Sequence, residues 1–346
     1  MNSIKQIILS IAIFFVGFSS VSVARNAGDG WLSLIQETNE LYTANKYEES
    51  IKVAKEALNI AIENATSTDD DIVMSLNNLA FLYDKSAFYS KAEGLYVKAL
   101  KILNKKNSSG TLLMAKVLNN LASYYTNIGQ YNKAKRTYQK SLKIRENILG
   151  NDNIDVAIVI NNIAQVLGAE KNYDKATLLY KKALNIFKKR YGIQNSNMLP
   201  IMTNLAFSYI AEGNYIEAEP LCKDALKILE KEVKEDNLNT ALTLDCLGEI
   251  QKSLKKYKQA EIFYKKALNI RRNILNKMNP DIAQSLNNLS IVYAIEGKNK
   301  EALIALKEAL IILENISGYN HPAKKLILKN INNIENTLHK KTNEKK

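Results

Sequence analysis

Carboxamides are the side chains whose types and spacing in this sequence could do chemistry. Adjacent asparagines occur at Asn77–Asn78, Asn119–Asn120, Asn161–Asn162 and Asn287–Asn288, each pair inside an apolar run such as "SLNNLAFLY" (75–83) or "VINNIAQVL" (159–167). Asn is a mediocre helix former because its amide competes for backbone hydrogen bonds, so the recurrence needs a cause. Each amide offers one acceptor and two donors. A column of amides can pair with the N–H and C=O groups of an extended peptide whatever its side chains, or it can tie neighbouring helices together. The residues by themselves leave both readings open.

Catalytic chemistry has little to work with. The chain has two His, His321 in an "HP" joint and His339 near the end, and two Cys. Four such residues, scattered, give no metal-ligand spacing. No nucleophile–base pair and no phosphate-binding loop is identifiable. Neither an enzyme, a metal nor a cofactor is expected. Cys222 and Cys246 point in different directions from their helices and read as buried thiols rather than a bridge.

The elements that position the amides follow from a repeat. The second asparagine recurs as Asn78, Asn120, Asn162, Asn204, Cys246 and Asn288, in steps of 42 residues. Small residues keep the same step at Ser50, Ala92, Ala134, Ala176, Ala218, Ala260 and Ala302, and again at Ala57, Ala99, Ser141, Ala183, Ala225, Ala267 and Ala309. An aromatic column reads Tyr47, Tyr89, Tyr131, Tyr173, Tyr215 and Tyr257, and ends in Asn299. Within a unit, Leu76, Leu79, Ala80 and Tyr83 follow the i, i+3, i+4, i+7 spacing of one helical face. A turn follows, "GQY" at 129–131 and "GNY" at 213–215, whose Gly can take a positive φ. A second helix carries Ala92, Tyr96 and Ala99 on one face. Its small residues allow close approach, and Tyr96, Tyr138, Tyr180 and Tyr264 fill the space between layers. Short polar joints such as "LGNDNID" (149–155) and "NKMNPD" (276–281) close the units.

An antiparallel helix pair with small residues at these spacings resembles the tetratricopeptide repeat, whose usual unit is 34 residues. The 42-residue unit and "EAEPLCKDALKI" (217–228) resemble its kinesin-light-chain-like subtype. The resemblance implies an all-α fold, a right-handed superhelical solenoid of antiparallel helix pairs. Seven repeats are expected over 31–316, with a C-terminal capping helix over 317–339 and a basic tail at 340–346. The first unit departs most, Gln36 and Glu37 replacing the Asn-Leu pair, as suits a terminal cap. Asn330 continues the asparagine step into the capping helix.

In such an array the first helices line the concave surface, and in families with this repeat groove asparagines contact peptide backbone. On a wheel of about 100° per residue, with Leu76 at zero, Asn77 falls near 100° and Asn78 near 200°, both off the face that packs on the second helix. The expected partner-binding residues are therefore Asn77, Asn119, Asn161 and Asn287 in one column, and Asn78, Asn120, Asn162, Asn204 and Asn288 in the other. Phe81, Lys85, Lys116 and Phe207 accompany them, and Gln165, Glu249, Lys252 and Ile291 also face that way. The first column suits a ligand and the second a latch between repeats. The Lys, Arg and Asn clamp that holds chaperone tails in this fold is absent, its positions being Asn77, Phe81, Asn119, Ser123, Asn161 and Gln165.

Formal net charge is +13, and the excess lies on second helices and joints, as in "KKAL" (181–184 and 265–268) and "RRN" (271–273). A solvated convex face accounts for it. Attraction to an anionic membrane or glycan is the functional counterpart. Nucleic acid is not expected, since most tyrosines are committed to packing. Lys5, the apolar run "IILSIAIFFVGF" (7–18) and the small residues of "SVA" (22–24) read as a signal peptide over 1–24, cut near Ala24, with a linker at 25–30. The expected protein is an exported, non-catalytic module binding a protein or peptide in its groove. The alternatives are an envelope assembly factor using its basic face, or a cytoplasmic scaffold subunit if the leader is misread.

Overall fold

The computed structural model describes residues 29–44, 46–86, 88–105, 110–192, 195–232, 237–315 and 323–343. The signal-peptide reading, most of the linker, His321 and the end of the basic tail lie outside the described residues. The described chain is all-α, with fifteen α-helices and no strand. Seven antiparallel hairpins follow one another: α1 (Asp29–Thr43) with α2 (Tyr47–Glu63), α3 (Asp69–Lys85) with α4 (Tyr89–Lys105), α5 (Leu112–Asn127) with α6 (Tyr131–Leu149), α7 (Ile154–Ala169) with α8 (Tyr173–Tyr191), α9 (Leu199–Glu212) with α10 (Tyr215–Glu232), α11 (Leu238–Ser253) with α12 (Tyr257–Ile274), and α13 (Pro280–Ile295) with α14 (Asn299–Glu314). A single helix, α15 (Ala323–Asn343), ends the series and runs past 339 into the expected basic tail. Contacts divide the described residues into an N-terminal unit, up to Val159, and a C-terminal unit from Ile160 on.

Local chemistry explains why the hairpins form. The aromatic column is the first residue of each second helix, from Tyr47 to Tyr257. The first helices end in a left-handed residue two positions earlier: Gly129, Gly213 and Gly297 near φ +80°, and Lys171 and Lys255 near +65°. At Gly129 the amide N–H donates to Thr126 O at 3.0 Å and that of Gln130 to Tyr125 O at 2.8 Å. That pair of bonds satisfies the carbonyls a helix end would leave bare, and the same pair recurs at the other four turns. Several first helices start at side-chain caps. Thr68 and Asp71 form a reciprocal capping box, and Thr111, Asn237 and Asn279 each accept a first-turn N–H.

The small-residue columns are buried wherever they occur, from Ser50 to Ala302 and from Ala57 to Ala309, and Tyr96, Tyr138, Tyr180 and Tyr264 are fully enclosed. Alanine there lets helices approach while the phenol fills the wider gap between hairpins. First helices inside the series are sandwiched on nearly every side; residues 75–84 of α3 and 199–210 of α9 are buried without a break. Second helices keep an exposed outer face, which carries the lysines. At the N-terminal end Trp31 of α1 is buried and donates its indole N–H to Ser75 Oγ at 2.8 Å, closing the first hairpin against α3.

Candidate functional site

The asparagines that the repeat places on the first helices are bonded to one another. In the N-terminal unit, Asn120 Nδ2 donates to Asn77 Oδ1 at 3.0 Å across 43 residues. Asn77 Nδ2 in turn donates to Asn78 Oδ1, and Asn119 Nδ2 to Asn120 Oδ1, both at 3.4 Å. Amide thus follows amide from α5 to α3. The same 43-residue offset recurs two turns on, where Asn127 Nδ2 reaches both carboxylate oxygens of Asp84 at 2.9 and 3.1 Å. In the C-terminal unit Asn204 Nδ2 donates to Asn161 Oδ1 at 3.3 Å, and Asn161 Nδ2 to Asn162 Oδ1 at 3.3 Å. Asn330 of α15 donates to Asn287 Oδ1 at 3.0 Å, so the last helix takes the place of an eighth first helix. Gln284 Nε2 donates to Asn288 Oδ1 at 2.8 Å.

All nine asparagines expected to face a ligand are 0–8 % exposed. They are turned into the seams between successive first helices and not toward an open groove, which corrects the expectation that both columns contact a partner. The wheel gave their direction correctly, but the neighbouring hairpin occupies that direction. Buried amides cost free energy unless paired, and each of the nine bonds at least one other carboxamide, across a seam at Asn120–Asn77, Asn204–Asn161 and Asn330–Asn287 and within one helix elsewhere. Phe81 and Phe207, also expected on the open side, are buried. Phe81 meets Tyr42 edge-on with ring centroids 5.2 Å apart, and Lys85 Nζ lies 5.5 Å from its centroid. Lys116 is half-buried; burial first, then the Arg145 charge, lowers its pKa to about 8. On the same side, one carboxamide has neither polar atom tied. Gln165, on the helical turn after Asn161, is 3 % exposed, and neither its Nε2 nor its Oε1 has a partner.

Asp84 is a buried carboxyl whose pKa rises to about 6, chiefly through burial, opposed by the Lys85 charge and the Asn127 hydrogen bond. A raised acid pKa means that the folded unit holds a proton the unfolded chain releases between about pH 4 and 6. Stability of the N-terminal unit should therefore decline as pH rises through that window. Urea unfolding of the native chain and of Asp84→Asn should diverge by about 3 kcal/mol between pH 4 and pH 7, with the variant lacking the decline. Parallel curves would refute it.

The ladder breaks at α11. Asp245 and Cys246 stand where Asn would continue both columns, and both are buried. Arg271 of α12 reaches Asp245 Oδ2 at 2.6 Å and donates to Ser285 Oγ of α13 at 2.6 Å. Burial raises the Asp245 pKa, and the Arg271 charge and hydrogen bond oppose it. One turn along α11, Glu249 accepts from Tyr264 OH at 2.7 Å and pairs with Lys252 at 2.6 Å. Gly248 permits this arrangement: a Cβ there would stand 2.8 Å from the Tyr264 ring. The buried ion pair was missed at the sequence level, although a signal existed. Arg145 and Arg271 stand in a column otherwise made of Ala61, Leu103, Phe187, Leu229 and Leu313. Arg145, also buried, meets Asp155 Oδ2 at 3.4 Å.

The cysteines also differ from expectation. Cys222 of α10 and Cys246 of α11 form a disulfide with Cα atoms 6.5 Å apart. One faces inward from a second helix and the other toward the groove side of the next first helix, yet the two directions converge. The inward face of a second helix also meets the first helix of the following hairpin, so an inward Cys222 meets a Cys246 that faces back along the array. Among the described residues no group of His, Cys, Asp and Glu could hold a metal ion, and no helix is long and apolar enough to cross a membrane.

Stacked hairpins with small-residue seams define a helical-repeat solenoid. Models of the tetratricopeptide repeat match residues 113–189 and 197–273, and a further one residues 282–323. The chain belongs to the tetratricopeptide repeat family, whose repeats form protein–protein interaction scaffolds. Similar solved structures include BtubC (BKLC) from P. vanneervenii, at 22% identity over 60% of this chain and 82% of that one, with a TM-score of 0.51. A putative kinesin light chain with nearly identical TPR-like repeats from Podosopora anserina is 19% identical over 58% of this chain and 95% of that one, with a TM-score of 0.43. A Rap protein complexed with Competence and Sporulation Factor is 17% identical over 83% of this chain and 78% of that one, with a TM-score of 0.60. No curated protein matches the chain.

Proposed function

We propose that the chain is an exported, non-catalytic scaffold that holds an extended peptide segment of a partner protein along its first helices, and that Gln165 rather than the paired asparagines makes the polar contact in the C-terminal unit. The carrying observation is the unsatisfied Gln165 amide. A buried amide without partners is costly, and one peptide unit supplies the acceptor and donor that it lacks. The rung beside it, Asn204 to Asn161, is longer than those at Asn120 and Asn330. The similar Rap structure, complexed with Competence and Sporulation Factor, is a precedent within the fold. Export rests on the leader at 1–24, supported by a disulfide, which persists in oxidising compartments. N-terminal sequencing that finds Met1 on the mature protein would refute export.

The test pans a random peptide library against the full chain. Selected peptides should bind Gln165→Leu about tenfold more weakly, the loss of one hydrogen bond from a buried amide, while the variant is at least as stable as the parent. Equal binding to both would overturn the groove reading.

A second reading, contact with an anionic membrane or glycan, is favoured by the outer face of the C-terminal unit. Exposed Leu178, Pro220, Ile262 and Ile304 repeat at the 42-residue step on α8, α10, α12 and α14, each followed three residues later by an exposed lysine, Lys181, Lys223, Lys265 and Lys307. Positions three apart on a helix are neighbours, so an apolar line runs beside a cationic one. Binding of this kind should fall steeply with salt, whereas amide pairing in the groove should not.

A further inference from the structure

Two columns of the repeat change residue one hairpin apart. The second-helix column reads Tyr96, Tyr138, Tyr180, Cys222, Tyr264, and the first-helix column reads Asn78, Asn120, Asn162, Asn204, Cys246, Asn288, Asn330. Each change alone removes something the array uses elsewhere: a phenol that fills the gap between hairpins, or the amide that donates to the preceding repeat. The seam on the far side of α11 has also lost its rung, since Asp245 Oδ1 and Asn288 Nδ2, the atoms matching the Asn77–Asn120 pair, are buried without partners. Thr203, facing Cys246 in the ladder, turns its hydroxyl back to Leu199 O of its own helix. Helix α11 therefore lacks the Asn–Asn rung toward either neighbour, whereas Asn161–Asn204 and Asn287–Asn330 provide one for their seams. The only covalent tie among the described residues is at this place, with both cysteines 0–1 % exposed.

We propose that the Cys222–Cys246 bond is a redox-conditional rung. It fastens α11 to the preceding hairpin in place of the missing amide, so that the α9–α10 and α11–α12 hairpins dock firmly only in the oxidised chain. In its formation the two thiols lose two protons and two electrons to a disulfide of a small-molecule or protein oxidant, which leaves as two thiols. Once α11 is seated, the buried bond meets reductant only when the hairpins part, so the docked state protects the link that made it. The inference is independent of the groove reading, because it concerns the seam between α10 and α11 and not Gln165.

The experiment compares full-length protein refolded under oxidising conditions with the same protein refolded with a phosphine reductant. Intact mass after alkylation in denaturant should find no free thiol in the first and two in the second. The thermal midpoint should fall by about 5–10 °C on reduction. Amide hydrogen exchange should accelerate more than tenfold in α10–α12 and remain unchanged in residues 29–159. The variant Cys222→Ser/Cys246→Ser should match the reduced chain and ignore reductant. The variant Cys222→Tyr/Cys246→Asn, which restores both columns, should ignore reductant and regain at least half of the lost midpoint. Two free thiols in the oxidised protein, or a midpoint unmoved by reduction, would overturn the proposal. No recovery in the Tyr/Asn variant would show that the bond does not stand in for a rung.

Discussion

Replacing Arg271 with alanine should cost the C-terminal unit about 3–5 kcal/mol, because it strands the buried Asp245 carboxylate without its counter-ion. Both side chains are almost wholly enclosed, and the guanidinium ties α12 to α11 and α13 together. Ser285 Oγ would lose its donor as well. The cost measures the break and not the value of the pair, since water is given up by both charges when the pair is buried. The repeat supplies the control. Arg271→Leu with Asp245→Asn returns each position to its column's usual residue, and it should be within about 1 kcal/mol of the parent or more stable. Guanidinium unfolding monitored at probes in the C-terminal unit checks both. A single variant as stable as the parent would mean that the carboxyl is already neutral in the fold.

Asn161→Ala should destabilise the same unit by about 2–3 kcal/mol, since it removes the buried acceptor of Asn204 Nδ2 and the donor to Asn162 Oδ1. A peptide-facing side chain would behave otherwise, its removal costing affinity and sparing the fold. Combining Asn161→Ala with Asn204→Ala should cost less than the two single changes added together, by about 1 kcal/mol. The coupling can be read from denaturant midpoints at constant slope. Additive singles would show that the rung carries no shared energy. Because stability in stacked repeats sums over units and their seams, the loss should also appear as earlier exchange in α7 and α9.

Much of the fold could be read before any coordinates. The Tyr47-to-Tyr257 column marks the start of every second helix but the last, and the Gly before "QY" and "NY" marks the left-handed turn. The alanine columns mark the seams. These are local consequences of backbone sterics and of spacing along one helix, so a single period of residues carries them. The candidate site was legible only in part. Asn77 and Asn78 leave the hairpin's own face as the wheel requires, yet the wheel is drawn for one helix and is silent about what stands opposite. Cys222 and Cys246 show the same blindness: their directions differ when each is drawn on its own helix, and only the stacking of two hairpins brings them together. Asp245 and Arg271 could have been found as paired departures from an amide column and an apolar column.

What the sequence alone determined, then, is the unit: two helices, their caps, their turn and the apolar faces that hold them together, because each rests on residues within reach of one another along 42 positions. The tertiary structure decided how the polar residues are used. Whether an amide meets solvent, a peptide or its own counterpart depends on which atoms lie within about 3 Å in the next hairpin. Stacking brings Asn120 to Asn77, Arg271 to Asp245 and Cys246 to Cys222, and leaves Gln165 enclosed and unpaired.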